Sequence, residues 1–356
     1  MRYGQKWAIE HVWYPAAERV WGNAERLYAE QLQQSQWLEP DKLRQQGQER
    51  LQRLLNLCRE WVPAYRGLPY LFLGRQMEEQ YQRLLPPLTR ARFAREAARH
   101  AAGEGAPGRC WEGNRGLLFT REQLERYQAA RLRGLSWYGI TPGSRCVVLW
   151  DGAMAAGSGW SGGGRWQEWL LGNRCRLPAR MLAEGNIRRL TEFLNRYRPE
   201  YLYGSPASLV RLARRMEEEG AAFRPCLKAV ICVGPQLDGD VEGYLRWRYA
   251  CPVGQEYAPV QAGVLACRCP MGRLHITAEH CLMEVLDPHT LAPLPAGETG
   301  VLAVTDWCNT AQPRLRYLPG ETGALGRERC SCGRTLPVLE NLGAGAGGCV
   351  PAAAVS

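Results

Sequence analysis

Three thiols and one imidazole lie in two short segments of the C-terminal third: Cys269 and His275, with five residues between them, and Cys330 and Cys332, with one. Zinc favours that mixture of sulfur and nitrogen ligands in a closed tetrahedral site, which stabilises a fold rather than performing a reaction. Cys267 is the reserve ligand should Cys269 point away. A Cys-x-Cys pair is less specific than Cys-x-x-Cys, and a chain with fourteen cysteines also yields such pairs by chance. Ordinary buried or surface thiols are therefore the alternative.

The elements that must position these side chains follow from periodicity. At 356 residues, 46% of them hydrophobic, the chain can bury the core of two or three packed sub-domains. Residues 1–100 read as a helical region, with Leu51, Leu54, Leu55 and Cys58 recurring at steps of three and four, punctuated by Pro63, Pro86 and Pro87. Thr120 and Gln123 make a capping box for a helix running to about Gly134. Within residues 101–251, from Arg145 onward, short β-rich runs alternate with helices: "CVVLW", a helix near 186–197, "YLYG", a helix over 205–219, "LKAVICVG" and a helix near 238–249. Ser205 followed by Pro206 suits an N-cap with proline in the first turn. Such alternation predicts an α/β fold, with a mostly parallel sheet and crossover helices. Over residues 252–342 strands replace helices, among them "RLHITAE", "CLMEVLD", "TGVLAVT" and "PRLRYL", which predicts a smaller β-rich sub-domain holding the candidate zinc ligands. The low-complexity stretch 343–356 is expected to be a disordered tail.

Composition excludes several classes. The opening "MRYGQKWAIEHVWYPAAER" breaks every apolar run with a charge or an amide, unlike a secretion signal, and no run approaches the roughly 18 apolar residues of a membrane span. The expectation is a cytoplasmic chain with mostly reduced thiols, Cys146 and Cys232 serving as small core hydrophobes. The net charge of +10 invites a nucleic-acid reading, but nearly all of it is arginine. Those arginines alternate with Glu and Gln at helical spacing, as in "EQLERYQAARLRG", the pattern of a solvated helix face. Nucleic acid is not the expected partner. The run "DGAMAAGSGWSGGG" at residues 151–164 lacks the spacings of a phosphate-binding loop and reads as a mobile surface loop.

Between about residues 50 and 342 a series of segments falls in a familiar order: "LQRLLNLCREWVPAYRGL", "LLPPLTRARF", "RPEYLYGSPASLVRLARRM", "GRLHITAEHCLMEVLD", "GETGVLAVTDW", "PRLRYLPGE" and "CSCGRTLPVLENL". In order and spacing they resemble the large N-terminal domain of the phenylacetate–coenzyme A ligase group of adenylate-forming enzymes. The resemblance implies that domain's α/β fold with a β-barrel-like sub-domain. It also implies the family's reaction, in which a carboxylate is activated on the α-phosphate of ATP and commonly passed to a thiol. Zinc gains support as well, since related ligases carry similar Cys-Pro, Leu-His-Ile and Cys-x-Cys-Gly-Arg segments.

The family's functional positions carry over unevenly. Tyr257 matches the tyrosine that lies against adenine, and Glu321 matches the ribose carboxylate with one methylene more. The resemblance places Gly234 in the same cleft and Tyr203, Gly204 and Ser205 toward an acyl pocket. Trp150, Trp160 and Trp166 near that pocket suit an aromatic or bulky acid, and core packing accounts for them equally well. Against ATP and magnesium stand Gln261, a neutral amide where the family has the metal's carboxylate, and "GRCWEGNRG" before Leu117, a phosphate loop without Ser, Thr or Lys. The family's lysine-bearing C-terminal domain has no counterpart after Leu342. The leading expectation is a homologue that does not adenylate alone, with a cleft for a small carboxylic acid or a nucleotide and no catalytic residue assigned. A divergent AMP-forming acid–thiol ligase, completed by a partner chain with the C-terminal domain or needing none, is the second reading, and a zinc-stabilised binding module the third.

Overall fold

The computed structural model describes residues 2–71, 77–103, 106, 110–112, 117–150, 173–182, 186–223, 226–235, 237–259 and 262–345. The 151–164 loop with Trp160, Trp166, Gln261, most of the 108–116 segment, the side chain of Trp150 and the tail from residue 346 lie outside the described residues.

The N-terminal region is helical, as its periodicity predicts. Helix α1 (Arg2–Ala8), a π-helical turn (Ile9–Trp13) and α2 (Tyr14–Trp21) lead into α3 (Glu25–Ser35) and the long α4 (Pro40–Trp61). Pro40 opens α4 where no intrahelical donor is needed, and Pro63 follows its end. Leu51, Leu54, Leu55 and Cys58 of α4 pack with Tyr65, Leu71 and, from α5 (Met77–Leu84), Met77 and Tyr81. At roughly 1.5–3 kcal/mol per buried leucine, this stripe rather than intrinsic propensity holds α4 in place. Two short helices follow, α6 (Arg90–Arg95) and α7 (Ala97–His100).

A hairpin of β1 (Cys110–Glu112) and β2 (Leu118–Thr120) runs into α8 (Arg121–Ser136). The expected capping box is present: Thr120 Oγ1 accepts from the Gln123 N–H at 3.2 Å, and Gln123 Oε1 accepts from the Thr120 N–H at 3.3 Å. The solvated face expected for this segment is not. Arg131 and Arg133 are 1% and 0% exposed, because α8 lies between α3 and the sheet and both guanidinium groups find buried carboxylates there. The same alternation of Arg with Gln and Glu thus fits a buried helix once distant acids are supplied.

The sheet begins with five parallel strands: β3 (Cys146–Trp150), β4 (Arg174–Pro178), β5 (Tyr201–Gly204), β6 (Ala229–Val233) and β7 (Val253–Tyr257), in spatial order β4-β3-β5-β6-β7. Crossover helices α9 (Ile187–Tyr197), α10 (Pro206–Glu218) and α11 (Gly239–Tyr249) cover one face through Leu190, Leu212 and Leu245. Leu135 and Ile140 pack on the opposite face, against Val148, Tyr201 and Ile231. Alternate residues of each strand supply the two cores, which is why these strands read as continuous apolar runs. Cys146 and Cys232 are 0% exposed, and burial pushes both thiols up to about 12.

Six antiparallel strands continue the same sheet: β8 (Ala266–Arg268), β9 (Leu274–Ile276), β10 (Cys281–Leu286), β11 (Gly300–Asp306), β12 (Glu321–Leu325) and β13 (Val338–Ala344). Their order beyond β7 is β8-β9-β13-β12-β11-β10. The change from parallel to antiparallel falls after Tyr257, and β13 reaches through Gly343 and Ala344. "PRLRYL" is not a strand. It makes single bridges, Tyr317 to Val304 and to Leu88, because Arg316 turns the backbone to φ +52° and buries its side chain.

Candidate functional site

The tight turn between β8 and β9 brings Cys269 and His275 together. Cys269 donates its N–H to the Arg273 carbonyl at 2.9 Å, and Gly272 adopts φ +82°, a conformation that favours glycine. A second turn, with Gly333 also at φ +82°, presents Cys330 and Cys332. The four ligand atoms of Cys269, His275, Cys330 and Cys332 all lie within 4.8 Å of one another. Cys269 Sγ is 3.7 Å from Cys330 Sγ, and Cys332 Sγ is 3.3 Å from His275 Nε2. On the far side of the ring, His275 Nδ1 is 3.3 Å from the Leu336 carbonyl. Donation there leaves the Nε2 lone pair facing the thiols, the orientation a metal ligand needs.

The imidazole is already in the form a metal binds, whereas Cys269 would have to give up its proton on binding one. Burial lowers His275 to about 4, so its imidazole is neutral near pH 7. Burial pushes Cys269 up to about 11. Cys332 is raised by burial but pulled further down by the backbone N–H and side chain of Arg334, and ends below the usual thiol value. The reserve ligand is not used. Cys267 turns to α8, where a Cβ on Gly134 would come within 2.5 Å of its sulfur, and packs with Ala129, Ala130 and Val264.

A second constellation stands where parallel strands give way to antiparallel ones, beyond the carboxyl ends of β6 and β7, a common ligand position in α/β sheets. Gly234, at φ +121°, follows β6 and donates to the Glu256 carbonyl at 2.9 Å. Tyr257 ends β7, 1% exposed, and its hydroxyl donates to Glu321 Oε2 at 3.2 Å. Arg90, the first residue of α6, places Nη2 at 3.6 Å from Glu321 Oε1. Burial raises the Glu321 pKa, opposed by Arg90 and by the Tyr257 hydroxyl. Arg90 was not singled out from sequence, although it lies in "LLPPLTRARF" directly after Thr89, which caps α6 by accepting from the Arg92 N–H.

The residues expected toward an acyl pocket cluster at the end of β5 with their polar groups engaged internally. The Tyr203 hydroxyl donates to Glu256 Oε1 at 2.9 Å. A Cβ on Gly204 would stand 3.1 Å from Leu149 Cβ. Ser205 caps α10, accepting from the Ser208 N–H at 3.2 Å. Arg316 acts as a staple. It donates to the Gln82 and Leu85 carbonyls at 2.8 and 2.6 Å and pairs with Glu284 at 3.1 Å, and so anchors the segment that delivers Glu321.

Asp306 ends β11 fully buried, accepting from the Tyr127 hydroxyl and from the Cys308 N–H. Burial outweighs these bonds and raises its pKa from 3.8 to about 6. A carboxyl whose folded pKa is raised contributes stability below its unfolded value and loses it as pH climbs through 6. Between pH 4 and 7 the parent chain should therefore lose about 3 kcal/mol relative to Asp306→Asn, the equivalent of roughly two pKa units. Parallel pH profiles for the two proteins in urea unfolding would refute this.

The fold is one shared with acyl-CoA ligases of the adenylate-forming type. No family model matches the chain. Two crystal structures of 2-hydroxyisobutyryl-CoA ligase share its fold. One is an open conformation with 2-HIB-AMP and CoA, at TM-score 0.67 and 21% identity, covering 83% of this chain and 67% of that one. The other is a postadenylation state with R3-HIB-AMP, at TM-score 0.68 and 20% identity, covering 87% and 69%. In sequence the chain is similar to phenylacetate-coenzyme A ligase of Thermus thermophilus, 27% identical over 323 residues, 83% of this chain and 68% of that protein. No helix among the described residues is long and apolar enough to cross a membrane.

Proposed function

We propose that this chain is an AMP-forming acid–CoA ligase large domain that keeps a site for the adenosine part of a nucleotide and does not carry out adenylation by itself. The observation that carries the reading is the contact of Tyr257 with Glu321, flanked by Arg90, at the junction of the two strand sets. Tyr257, itself buried, would meet a purine only with a shift of its ring, and Glu321 offers oxygens to ribose hydroxyls. Neither contact needs a triphosphate. Adenylation needs more, because it rests on donors positioned around the phosphates and on a carboxylate for magnesium. The 108–116 segment has no Ser, Thr or Lys, and Gln261 stands at the carboxylate's position.

Acid-dependent ATP–pyrophosphate exchange should be at background with a panel of aromatic and aliphatic acids, since one lost donor alone typically lowers the rate by about a hundredfold or more. Calorimetry should find AMP binding no weaker than ATP. Exchange above background would instead establish the second reading, a divergent working ligase, which the sequence kinship over 83% of the chain favours.

The Cys269, His275, Cys330 and Cys332 cluster is read as a structural zinc site. Three thiols and a neutral imidazole oriented by the Leu336 carbonyl fit zinc's preferred set, and all four positions filled by protein leave none open for catalysis. The free thiols among the described cysteines, Cys58, Cys146 and Cys251 among them, support a cytoplasmic location.

A further inference from the structure

We propose that the Cys/His knuckle is also a latch, holding the corner between α3 and α4 against the rest of the protein, with Gln36 as its hub. The inference rests on the zinc reading above. Gln36 follows α3 directly and is 2% exposed. Its side-chain oxygen accepts from Trp137 Nε1 and from Arg334 Nε, each at 2.9 Å. Its backbone carbonyl accepts from the Thr335 N–H at 3.0 Å and from Thr335 Oγ1 at 3.1 Å. Arg334 and Thr335 lie two and three residues past the ligand Cys332. Trp137 stands edge-on to the ring of the ligand His275, centroids 5.7 Å apart, with the Arg334 guanidinium 4.5 Å from its own centroid. These partners of Gln36 are each adjacent in chain to a ligand or in ring contact with one.

The metal is what would fix them. Residues 330–336 precede β13, and the backbone of the turn at Cys330 makes local bonds, from the Gly333 N–H to the Cys330 carbonyl at 3.1 Å and from the Cys332 N–H to Cys330 Sγ at 3.4 Å, while its two sulfurs reach Cys269 and His275. Metal–ligand bonds would tie that turn to β9 and the β8–β9 turn, and through Gln36 the order would pass to the helices. Thr335 and Pro337 also line, with Pro40 and Leu43 of α4, a cavity of about 310 Å³, so release of the corner would loosen part of its lining.

A second polar hub makes the inference discriminating. Glu279, 3% exposed, accepts from Arg133 Nη1 and from Ser35 Oγ, each at 2.6 Å, while its carbonyl accepts from Arg50 and from Trp307 Nε1. This hub ties α4, α8 and, through Ser35, the last residue of α3 to the sheet without using residues 330–336. Metal loss should therefore loosen the Gln36 corner and leave the body of α4 in place.

The test is hydrogen–deuterium exchange on the full chain with bound zinc, after chelation and after zinc is restored. Exchange over residues 33–38 and 330–336 should rise on the order of tenfold on chelation and recover on restoration, while residues 51–58 change little. Gln36→Ala should reproduce the faster exchange at 33–38 with its zinc still bound; because chelation is done on the unaltered chain, the outcome does not depend on that variant folding. Unchanged exchange at 33–38 when zinc is removed would overturn the latch and leave the zinc site standing. A chain that takes up no zinc would overturn both, and uniform loss of protection would overturn the latch by showing that the metal holds the whole fold.

Discussion

Glu256→Gln is expected to lower the unfolding free energy by about 3–5 kcal/mol, because removing one partner of a buried ion pair leaves the other charge uncompensated. Glu256 and Arg131 are 2% and 1% exposed. The guanidinium grips the carboxylate through Nε at 3.0 Å and Nη2 at 2.8 Å, and the Tyr203 hydroxyl adds a third donor at 2.9 Å. A glutamine of the same size keeps the shape but not the charge, so little of the effect can be attributed to packing. Replacing both residues, Arg131→Met with Glu256→Leu, should recover most of the loss, since a well-packed apolar pair often equals a buried ion pair. Equilibrium urea unfolding of the three proteins decides it. A drop below about 1 kcal/mol for Glu256→Gln would place this pair with weak surface bridges and sink the argument.

His275→Ala should abolish metal uptake and lower the melting temperature by about 5 °C or more. The magnitude follows from linkage: zinc at a thousandfold excess over its dissociation constant stabilises the folded state by about 4 kcal/mol, and each kcal/mol moves the midpoint of a chain this long by roughly 2 °C. Without the imidazole, three thiols remain around an incomplete tetrahedron, Cys269 and Cys330 with sulfurs 3.7 Å apart. Cys226→Ser, which alters an exposed thiol, should change neither metal content nor melting. Elemental analysis of protein purified without added metal should find about one zinc per chain. Less than a tenth of that, with no response of melting to a chelator, would eliminate the site.

Local signals in the sequence were readable because their causes are local. Thr120 with Gln123, and Ser205 with Pro206, cap their helices through atoms three residues apart. The apolar runs around Cys146 and Cys232 became the central parallel strands they predicted, because a strand covered on both faces has no polar side to show. The four members of the Cys/His cluster were visible as residue types at suitable separations, and the ordered segments of the resemblance pointed to a fold that the relatives share.

By itself, then, the sequence determined the alternation of strand and helix, the caps, and the inventory of groups able to bind a metal or a nucleotide. Tertiary structure alone decided which of those groups meet. Arg131 and Arg133 looked solvated because their carboxylates are 125 and 146 residues away, and only folding supplies a buried counter-charge at that distance. Cys269 rather than Cys267 joins the cluster because the turn after β8 reorients the chain while Cys267 fills the space left by Gly134. "PRLRYL" has strand-like composition, yet Arg316 is drawn into a left-handed backbone by the carbonyls of Gln82 and Leu85, more than 200 residues earlier. Arg90 reaches Glu321 for the same reason: periodicity reports which face of an element is buried, whereas a side-chain partner is fixed only when distant segments close on one another.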